Sequence, residues 1–341
     1  MARLTALSGL GRKSAALFLL EIEGRRLLLD MGGGLEVGER PDLSQAGRID
    51  AVLLSHAHVD HVGALDRLAE IGAPPVYATR ETQRQLPAAL RPLRLAELPD
   101  RGSAEVLGLR LDTGCSGHAP GGIWMRFPTL RGGFLYTGDF STEAPLLRCD
   151  PFPRSATVLA DASYGDRDES LAFQIAALTG AVSGGAVLPC PLGGRGPDMV
   201  TALAAAGLSV HACPQVAAET ERLTGTRPPV ATPKSASPTQ IIVADGPNAE
   251  HGLAAALRER PGFRFIFSGH VPRSSPARAL LDAGHARWMG WNVHPRLSDL
   301  LAMAETTRAE RVLPAFVDLR AAPRLTALLG PRLRQCTSLE V

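Results

Sequence analysis

The sequence predicts an α/β protein, because short apolar runs of strand length alternate with segments of helical periodicity. The runs at 27–29 and 51–54 are the clearest strands, and each is followed by polar residues that can serve a metal site. Such residues at strand ends and in loops are typical of a cleft at one edge of a sheet. With 341 residues, of which 45% are apolar, the chain is long enough for two domains of ordinary size.

The predicted strands are short and apolar, and the predicted helices have an apolar face. Early in the chain, Glu23-Gly24-Arg25 between two apolar runs predicts a hairpin. In chain order, the elements predicted are strands within 3–30 and at 51–54, helices at 62–71 and 80–92, strands at 104–112, 123–137 and 157–161, a helix at 296–306, a strand at 312–316 and a helix at 319–329.

The main chemical motif is H-x-H-x-D-H, which directly follows the strand at 51–54. Its three imidazoles and one carboxylate are His56, His58, Asp60 and His61. These groups are costly to bury without a partner, and zinc and similar metals accept this mixture of ligands. In an extended segment His56 and His58 would share a face, because side chains alternate with a period of two. A solvated histidine-rich loop is the alternative, and ligand candidates elsewhere in the chain argue against it.

This motif resembles the signature of the metallo-β-lactamase superfamily, and the resemblance extends to other segments. Residues 27–34 match the early strand-Asp-Gly element, His118 matches the third-motif histidine, and Asp139 matches the bridging aspartate. The resemblance implies a four-layer αβ/βα sandwich. Asp30, at the end of its strand, is expected to fix the orientation of an imidazole or a nearby loop.

The resemblance also implies two zinc sites that share one aspartate. The first would be formed by His56, His58, His118 and Asp139. The second would be formed by Asp60, His61 and the same Asp139. We expect weaker binding at the second site, because RNA-cleaving members of the family have a histidine where this chain has Phe316. Asp318 is a candidate substitute ligand, and Mn²⁺ is an alternative to Zn²⁺.

A further set of motifs resembles the β-CASP nuclease branch of this superfamily. The strand at 157–161 ends in Asp161 and is followed by Ser163-Tyr164-Gly165, and segments 186–196 and 265–281 resemble the start and end of the inserted cap. The cap would be a small α/β segment. The expected organisation is a first part of the metallo-β-lactamase domain at 1–180, a reduced β-CASP-like cap at 181–283 and a C-terminal part at 284–341.

The resemblance assigns protonation of the leaving oxygen to His294, with Asp161 as its partner. A carboxylate partner raises the pKa of an imidazole and fixes its tautomer, which suits a general acid. A surface histidine before a proline is the alternative for His294. The expected catalytic residues are therefore Asp60, His294 and Asp161, and the expected substrate-binding residues are Arg195, Arg278 and His270. The two arginines could equally be ordinary surface residues.

The composition narrows the function further. A net charge of +2 gives no large field that could hold nucleic acid by charge alone. Five widely spaced cysteines without a CxxC motif favour reduced thiols in the cytoplasm. No secretory signal is expected, and no segment approaches the roughly 20 apolar residues of a membrane span, so no membrane partner is expected.

Together these features predict a metal-dependent hydrolase, a phosphodiesterase or nuclease that cleaves DNA or RNA through a zinc-bound hydroxide. A hydrolase of a small phosphodiester or ester is the second hypothesis. A non-catalytic nucleic-acid-processing subunit is the third, and the retained ligands argue against it. Nucleic acid is the expected partner. The choice between exonuclease and endonuclease stays open, as does the oligomeric state, including a homodimer.

Overall fold

The computed structural model describes residues 2–36 and 38–341, and the chain forms two units. The first unit comprises the described residues up to Thr142, together with Arg148–Asp168 and His294–Val341. The second comprises Glu143–Leu147 and Glu169–Val293. The segment expected to form the cap, 181–283, lies within the second unit.

Two β-sheets form the centre of the first unit. One contains β1 (Ala2–Ser8), β2 (Leu17–Ile22), β3 (Arg25–Leu29), β4 (Ala51–Leu53), β5 (Val76–Thr79), β6 (Leu95–Leu98) and β18 (Ser338–Glu340). The other contains β7 (Gly102–Val106), β8 (Leu109–Cys115), β9 (Ile123–Phe127), β10 (Phe134–Tyr136), β11 (Thr157–Asp161) and β17 (Arg311–Ala315). Their strand orders are β18-β1-β2-β3-β4-β5-β6 and β17-β11-β10-β9-β8-β7.

Three apolar clusters define the layers of this unit. One cluster lies between the two sheets and includes Phe18 of β2 and Phe127 of β9. A second covers the other face of the first sheet and includes Val52 and Val62. A third covers the other face of the second sheet and includes residues of the C-terminal helices. This order of layers confirms the predicted αβ/βα sandwich.

The helices of the first unit are short and lie outside the sheets. They are α1 (Val59–Val62), α2 (Arg80–Gln85), α8 (Leu297–Thr306) and α9 (Pro323–Leu329), with 3-10 helices at Leu65–Ile71, Ala88–Leu90, Leu319–Ala321 and Gly330–Arg332. Within 2–36 and 38–341, no helix combines the length and the apolar character that crossing a membrane requires.

Parallel pairing brings several strand ends to one edge of the sandwich. In the first sheet Leu29 of β3 pairs with Leu53 of β4. In the second sheet β10, β11 and β17 are parallel, and Asp161 pairs with Ala315. The residues that follow these ends therefore come close together, although they are far apart in the sequence. They include Asp30, His56, Asp139 and Phe316.

The second unit is a parallel α/β domain. Its sheet has the order β13-β14-β12-β15-β16, with β12 at Ala186–Pro189, β13 at Val210–Ala212, β14 at Ile241–Ala244, β15 at Phe265–Phe267 and β16 at Ala286–Trp288. Its helices are α3 (Leu171–Ala181), α4 (Arg195–Ala205), α5 (Pro214–Thr224), α6 (Gly252–Arg258) and α7 (Pro276–Asp282). The unit extends beyond 181–283, because Gln174 and Glu143 both hydrogen-bond Asn292.

Several element predictions were wrong in their bounds. The strand at 104–112 is a hairpin, because Leu107 and Gly108 both have positive φ, as a two-residue hairpin turn requires. The strand at 123–137 is two strands, separated by a turn at Gly132 and Gly133. The helix at 80–92 ends at Gln85, and Pro87 follows, which disfavours helical geometry in the residue before it.

The predicted helices at 62–71 and 319–329 are also different in the structure. Most of the first is a 3-10 helix, Leu65–Ile71, that follows the single turn of α1. The second is divided into a 3-10 turn and α9, because Ala322 leaves helical geometry with φ −129° and ψ 59°. Pro323 then starts α9, where its missing N–H costs no hydrogen bond.

Asp198 is a buried carboxylate in the first turn of α4. The residue is 2% exposed, and the backbone N–H of Leu146 donates to its Oδ1 at 3.2 Å. Burial raises the pKa of Asp198 to about 7, and the hydrogen bond from Leu146 opposes this shift only in part. The folded state therefore binds a proton more tightly than the unfolded state, and Asp198 destabilises the fold once pH rises above its unfolded pKa of about 4.

We expect Asp198→Asn to raise the thermal midpoint, because the amide keeps an acceptor for Leu146 and removes the cost of burying a charge. The gain should be small near pH 4, grow as pH rises and level off above about pH 7, with an upper limit of about 4 kcal/mol. Thermal unfolding at several pH values would measure it. Asp282→Asn, at an exposed position on α7, is the control. A gain that does not depend on pH would contradict the assignment.

Candidate metal centre

The H-x-H-x-D-H residues lie on the loop that follows β4 and on the single helical turn of α1. β4 ends at Leu53, so His56 and His58 are beyond the strand and do not share a strand face. His58 is the N-cap of α1, and Asp60 and His61 are within that helix. The turn of the chain into the helix brings the side chains together instead.

Three histidines form the densest part of the site. The ring centroid of His56 is 4.7 Å from that of His58 and 4.8 Å from that of His118, and the rings of His58 and His118 are also 4.8 Å apart. Nδ1 of His58 is 2.9 Å from Nε2 of His118. Two nitrogen lone pairs this close require a proton or a cation between them. Three converging imidazoles suit a tetrahedral metal ion.

Asp139 connects this triad to the rest of the site. Its Oδ2 is 3.7 Å from Nε2 of His118, and its Oδ1 is 3.3 Å from Nε2 of His61. Among the buried side-chain atoms that lack a hydrogen-bond partner in the described part of the chain, three belong to this site: His56 Nε2, His61 Nε2 and Asp139 Oδ1. Since buried polar atoms are normally satisfied, such unpaired atoms fit the ligand set of a metal ion. The fold and these residues therefore define a divalent metal centre.

Asp30 fixes the orientation of two of these imidazoles. Its carboxylate accepts hydrogen bonds from the backbone N–H of Ser55 at 2.6 Å, the Ser55 hydroxyl at 2.7 Å and the Tyr136 hydroxyl at 2.5 Å. Nδ1 of His61 lies 2.7 Å from the same carboxylate, and Nδ1 of His56 lies 3.1 Å from the Ser55 hydroxyl. Both rings then donate through Nδ1, which leaves Nε2 unprotonated and directed to the site.

The electrostatic environment of His56 and Asp139 favours the protonation states that bind metal, whereas at His61 burial opposes protonation but the carboxylates of Asp139, Asp30 and Asp60 raise the pKa of the imidazole above its ordinary value. Burial and the neighbouring imidazoles of His61, His58 and His118 hold the pKa of His56 well below its ordinary value. Burial alone would raise the pKa of Asp139, but Lys13 and His61 outweigh it and hold the pKa of Asp139 well below its ordinary value. Neutral imidazoles and ionised carboxylates are the forms that coordinate metals.

Lys13 lies inside this site, and the sequence analysis did not single it out. Its Nζ is 3.0 Å from Asp60 Oδ2, 3.3 Å from Asp139 Oδ2 and 3.4 Å from the Ser163 hydroxyl. Burial opposes its charge, but the carboxylates of Asp139 and Asp60 raise the pKa of Lys13 above its ordinary value. The available signal was composition, since Lys13 is one of only two lysines among 36 basic residues.

The pair formed by His294 and Asp161 lies beside the metal ligands. Nδ1 of His294 is 2.8 Å from Asp161 Oδ2 and 3.5 Å from Asp139 Oδ2. The His294 ring is 4.8 Å from that of His118 and meets the Tyr164 ring edge-to-face at 5.1 Å. The other oxygen of Asp161 accepts hydrogen bonds from the N–H and the hydroxyl of Ser163, at 2.9 and 2.6 Å. Asp161 is therefore held in place and can orient His294.

Phe316, expected to stand where RNA-cleaving family members have a histidine ligand, faces the metal centre. The Phe316 ring is buried, with its centroid 5.6 Å from that of His61. Lys13 Nζ lies over this ring, 4.5 Å from its centroid. Asp318, considered as a substitute ligand, is engaged elsewhere: it caps a 3-10 turn and pairs with Arg320 at 2.7 Å.

The three residues expected to bind substrate are all in the second unit. Arg195 begins α4, and its Nη1 donates to the Ser268 hydroxyl at 3.2 Å. Arg278 lies on α7 and is 3.5 Å from Asp282. His270 is exposed in the loop after β15. Their role in substrate binding remains a prediction.

Residues 10–185, just over half of the chain, match the model of the metallo-beta-lactamase superfamily. The chain belongs to this superfamily, as the H-x-H-x-D-H motif predicted. Among solved structures, a protein of unknown function from Enterococcus faecalis V583 superimposes with a TM-score of 0.65 at 14% identity and covers 100% of both chains. This likeness concerns the fold alone.

Curated relatives match part of the chain. Ribonuclease TTHA0252 of Thermus thermophilus is 34% identical over 175 residues, which are 44% of this chain and 41% of the relative. Transcription termination factors FttA of Methanosarcina mazei and Cenarchaeum symbiosum are 29% and 30% identical over 50% and 58% of this chain. Those two matches cover 32% and 38% of the relatives, so the chain spans less than half of each relative's length. These relatives are consistent with the β-CASP branch.

We expect Asp30→Asn to weaken metal binding by about 10- to 100-fold, because an amide oxygen cannot replace a carboxylate that serves His61, Ser55 and Tyr136 together. Competition with a chromophoric chelator would measure the affinity, and circular dichroism would verify folding. Asp50→Asn is the matched control, because that carboxylate accepts a hydrogen bond from Arg26 N at the other end of β4. Equal metal affinity in the Asp30 variant and wild type would refute the orienting role.

Proposed function

We propose that this protein is a zinc-dependent phosphodiesterase that hydrolyses nucleic acid. The observation that carries the proposal is the hydrogen-bonded pair of Asp161 and His294 beside the histidine triad, with His294 Nδ1 2.8 Å from Asp161 and 3.5 Å from Asp139. A metal centre alone would suit many hydrolases. A buried carboxylate–imidazole pair next to it provides the proton donor that a poor leaving group such as a sugar oxygen requires.

The histidines His56, His58 and His118, with Asp139, would hold the ion. When bound there, a zinc ion would supply Lewis-acid chemistry and would lower the pKa of a water ligand to roughly 7. The protein's own contribution at His56 is to keep the imidazole neutral through burial and neighbouring imidazoles and to orient it through Ser55, which Asp30 holds in place.

His294 would protonate the leaving oxygen. Because Nδ1 is bound to Asp161, the proton to be transferred is carried on Nε2. Ser163 holds Asp161 through two hydrogen bonds, and Tyr164 packs against the His294 ring. These contacts limit rotation of the imidazole and keep it in one orientation beside the metal ligands.

Nucleic acid as the substrate is supported by the relatives, of which one is named a ribonuclease and two are named transcription termination factors. We assign Arg195, Arg278 and His270 as the residues that contact its phosphates. We place the enzyme in the cytoplasm, because all five cysteines are free thiols in the described chain.

A panel of labelled single-stranded RNA, single-stranded DNA and duplexes, assayed with added Zn²⁺ or Mn²⁺, tests the proposal. We expect cleavage of at least one polymer and its loss in His118→Ala, which removes a ligand of the triad. Hydrolysis of bis-p-nitrophenyl phosphate without cleavage of any polymer would replace the proposal with a small-ester hydrolase.

The role of His294 predicts a dependence on the leaving group. We expect His294→Ala to slow cleavage of nucleic acid by about 10²- to 10⁴-fold. It should slow hydrolysis of bis-p-nitrophenyl phosphate far less, because nitrophenolate leaves without protonation. His118→Ala should lose both activities, since it damages the metal centre itself. Equal losses of both activities in His294→Ala would show that His294 is not the acid.

A further inference from the structure

The ammonium group of Lys13 occupies the space between the two carboxylates that face the histidine triad. Its Nζ is 3.0 Å from Asp60 Oδ2 and 3.3 Å from Asp139 Oδ2, and the Ser163 hydroxyl is a third acceptor at 3.4 Å. An ammonium has three N–H donors, so three acceptors match its capacity. The Lys13 side chain is 22% exposed, while that of Asp139 is 2% exposed, so the contact is largely shielded from water.

Besides its three polar acceptors, the Lys13 ammonium contacts one apolar group. The Phe316 ring lies under Nζ, with its centroid 4.5 Å away, which is a favourable cation–π geometry. Phe316 is 2% exposed and offers no atom that could bind a metal. A lysine ammonium is favoured by such a ring face, whereas a divalent ion needs oxygen, nitrogen or sulfur ligands.

Asp60 takes no part in the ligand clusters. Three groups of potential ligands occur within the described residues: His56, His58 and His118; His56, His61 and Asp139; and His118, Asp139 and His294. Asp60 Oδ2 lies 3.9 Å from His61 Nε2 but only 3.0 Å from Lys13 Nζ, so the nearer charged partner of Asp60 is a cation that the chain itself supplies.

We propose that the centre binds a single divalent ion, at the histidine triad and Asp139, and that the Lys13 ammonium takes the place of a second ion between Asp60 and Asp139. This inference rests on the proposed function and specifies how the same site works. Lys13 is then a residue that carries positive charge to the substrate phosphate. Its charge is fixed in the chain and does not depend on the supply of metal.

Metal stoichiometry tests the proposal directly. Each protein is saturated with Zn²⁺, passed through a desalting column and analysed by inductively coupled plasma mass spectrometry. We expect one zinc per chain in wild type and close to two in Lys13→Met/Phe316→His, which removes the ammonium and adds an imidazole ligand. Lys13→Met and Lys13→Gln should fall between these values, because Asp60 and Asp139 become available without a third ligand on that side. Lys234→Met changes the only other lysine, which is exposed, and is the matched control.

Two zinc ions in wild type would overturn the proposal, and so would one zinc in wild type and in all the Lys13 variants that retain the wild-type circular dichroism spectrum. Anomalous diffraction from zinc-loaded crystals gives an independent readout, with one peak at the triad expected in wild type. These measurements do not use activity. A wild-type protein that binds one zinc but cleaves no phosphodiester would contradict the proposed function and leave the Lys13 assignment supported.

Discussion

The buried carboxylate of Asp30 is the contact on which the metal centre depends. It accepts hydrogen bonds from Ser55, which follows β4, and from Tyr136 of β10, so one side chain joins both sheets of the sandwich at the edge where the ligands meet. The same carboxylate orients His61. Asp30 adopts a φ of 58°, a conformation that aspartate tolerates better than most residues, and this turn directs the following chain toward α1.

The backbone beyond Asp30 then holds the helix that carries two candidate ligands. Met31 N donates to His61 O and Gly33 N donates to Val59 O, both at 2.9 Å. A Cβ at Gly32 would lie 1.8 Å from the carbonyl oxygen of Asp60, so only glycine allows this approach. A helix of four residues has little stability of its own, so these backbone hydrogen bonds stabilise it. The glycines after Asp30 therefore contribute to the geometry of the metal centre.

The sequence predicted the family and the sandwich because their signals are local. The H-x-H-x-D-H spacing and the apolar runs before His56 and Asp161 need no knowledge of distant contacts. Element bounds were less predictable where backbone geometry decided them, as at Leu107-Gly108 in the hairpin. The position of Lys13 could not be predicted, because it depends on a contact between the β1–β2 connection and a distant segment. Its partner Asp139 is 126 residues further along the chain.

The arrangement around Asp139 also explains how one buried carboxylate can serve several partners. One of its oxygens faces His61, and the other faces Lys13, His118 and His294. Coulomb energy scales with charge, so at equal distance the lysine attracts Asp139 about half as strongly as a divalent ion would. The weaker attraction would leave Asp139 better able to bind an ion held at the triad. The positive charge of Lys13 thus offsets the negative charges of Asp60 and Asp139, while Asp139 stays able to bind a metal ion.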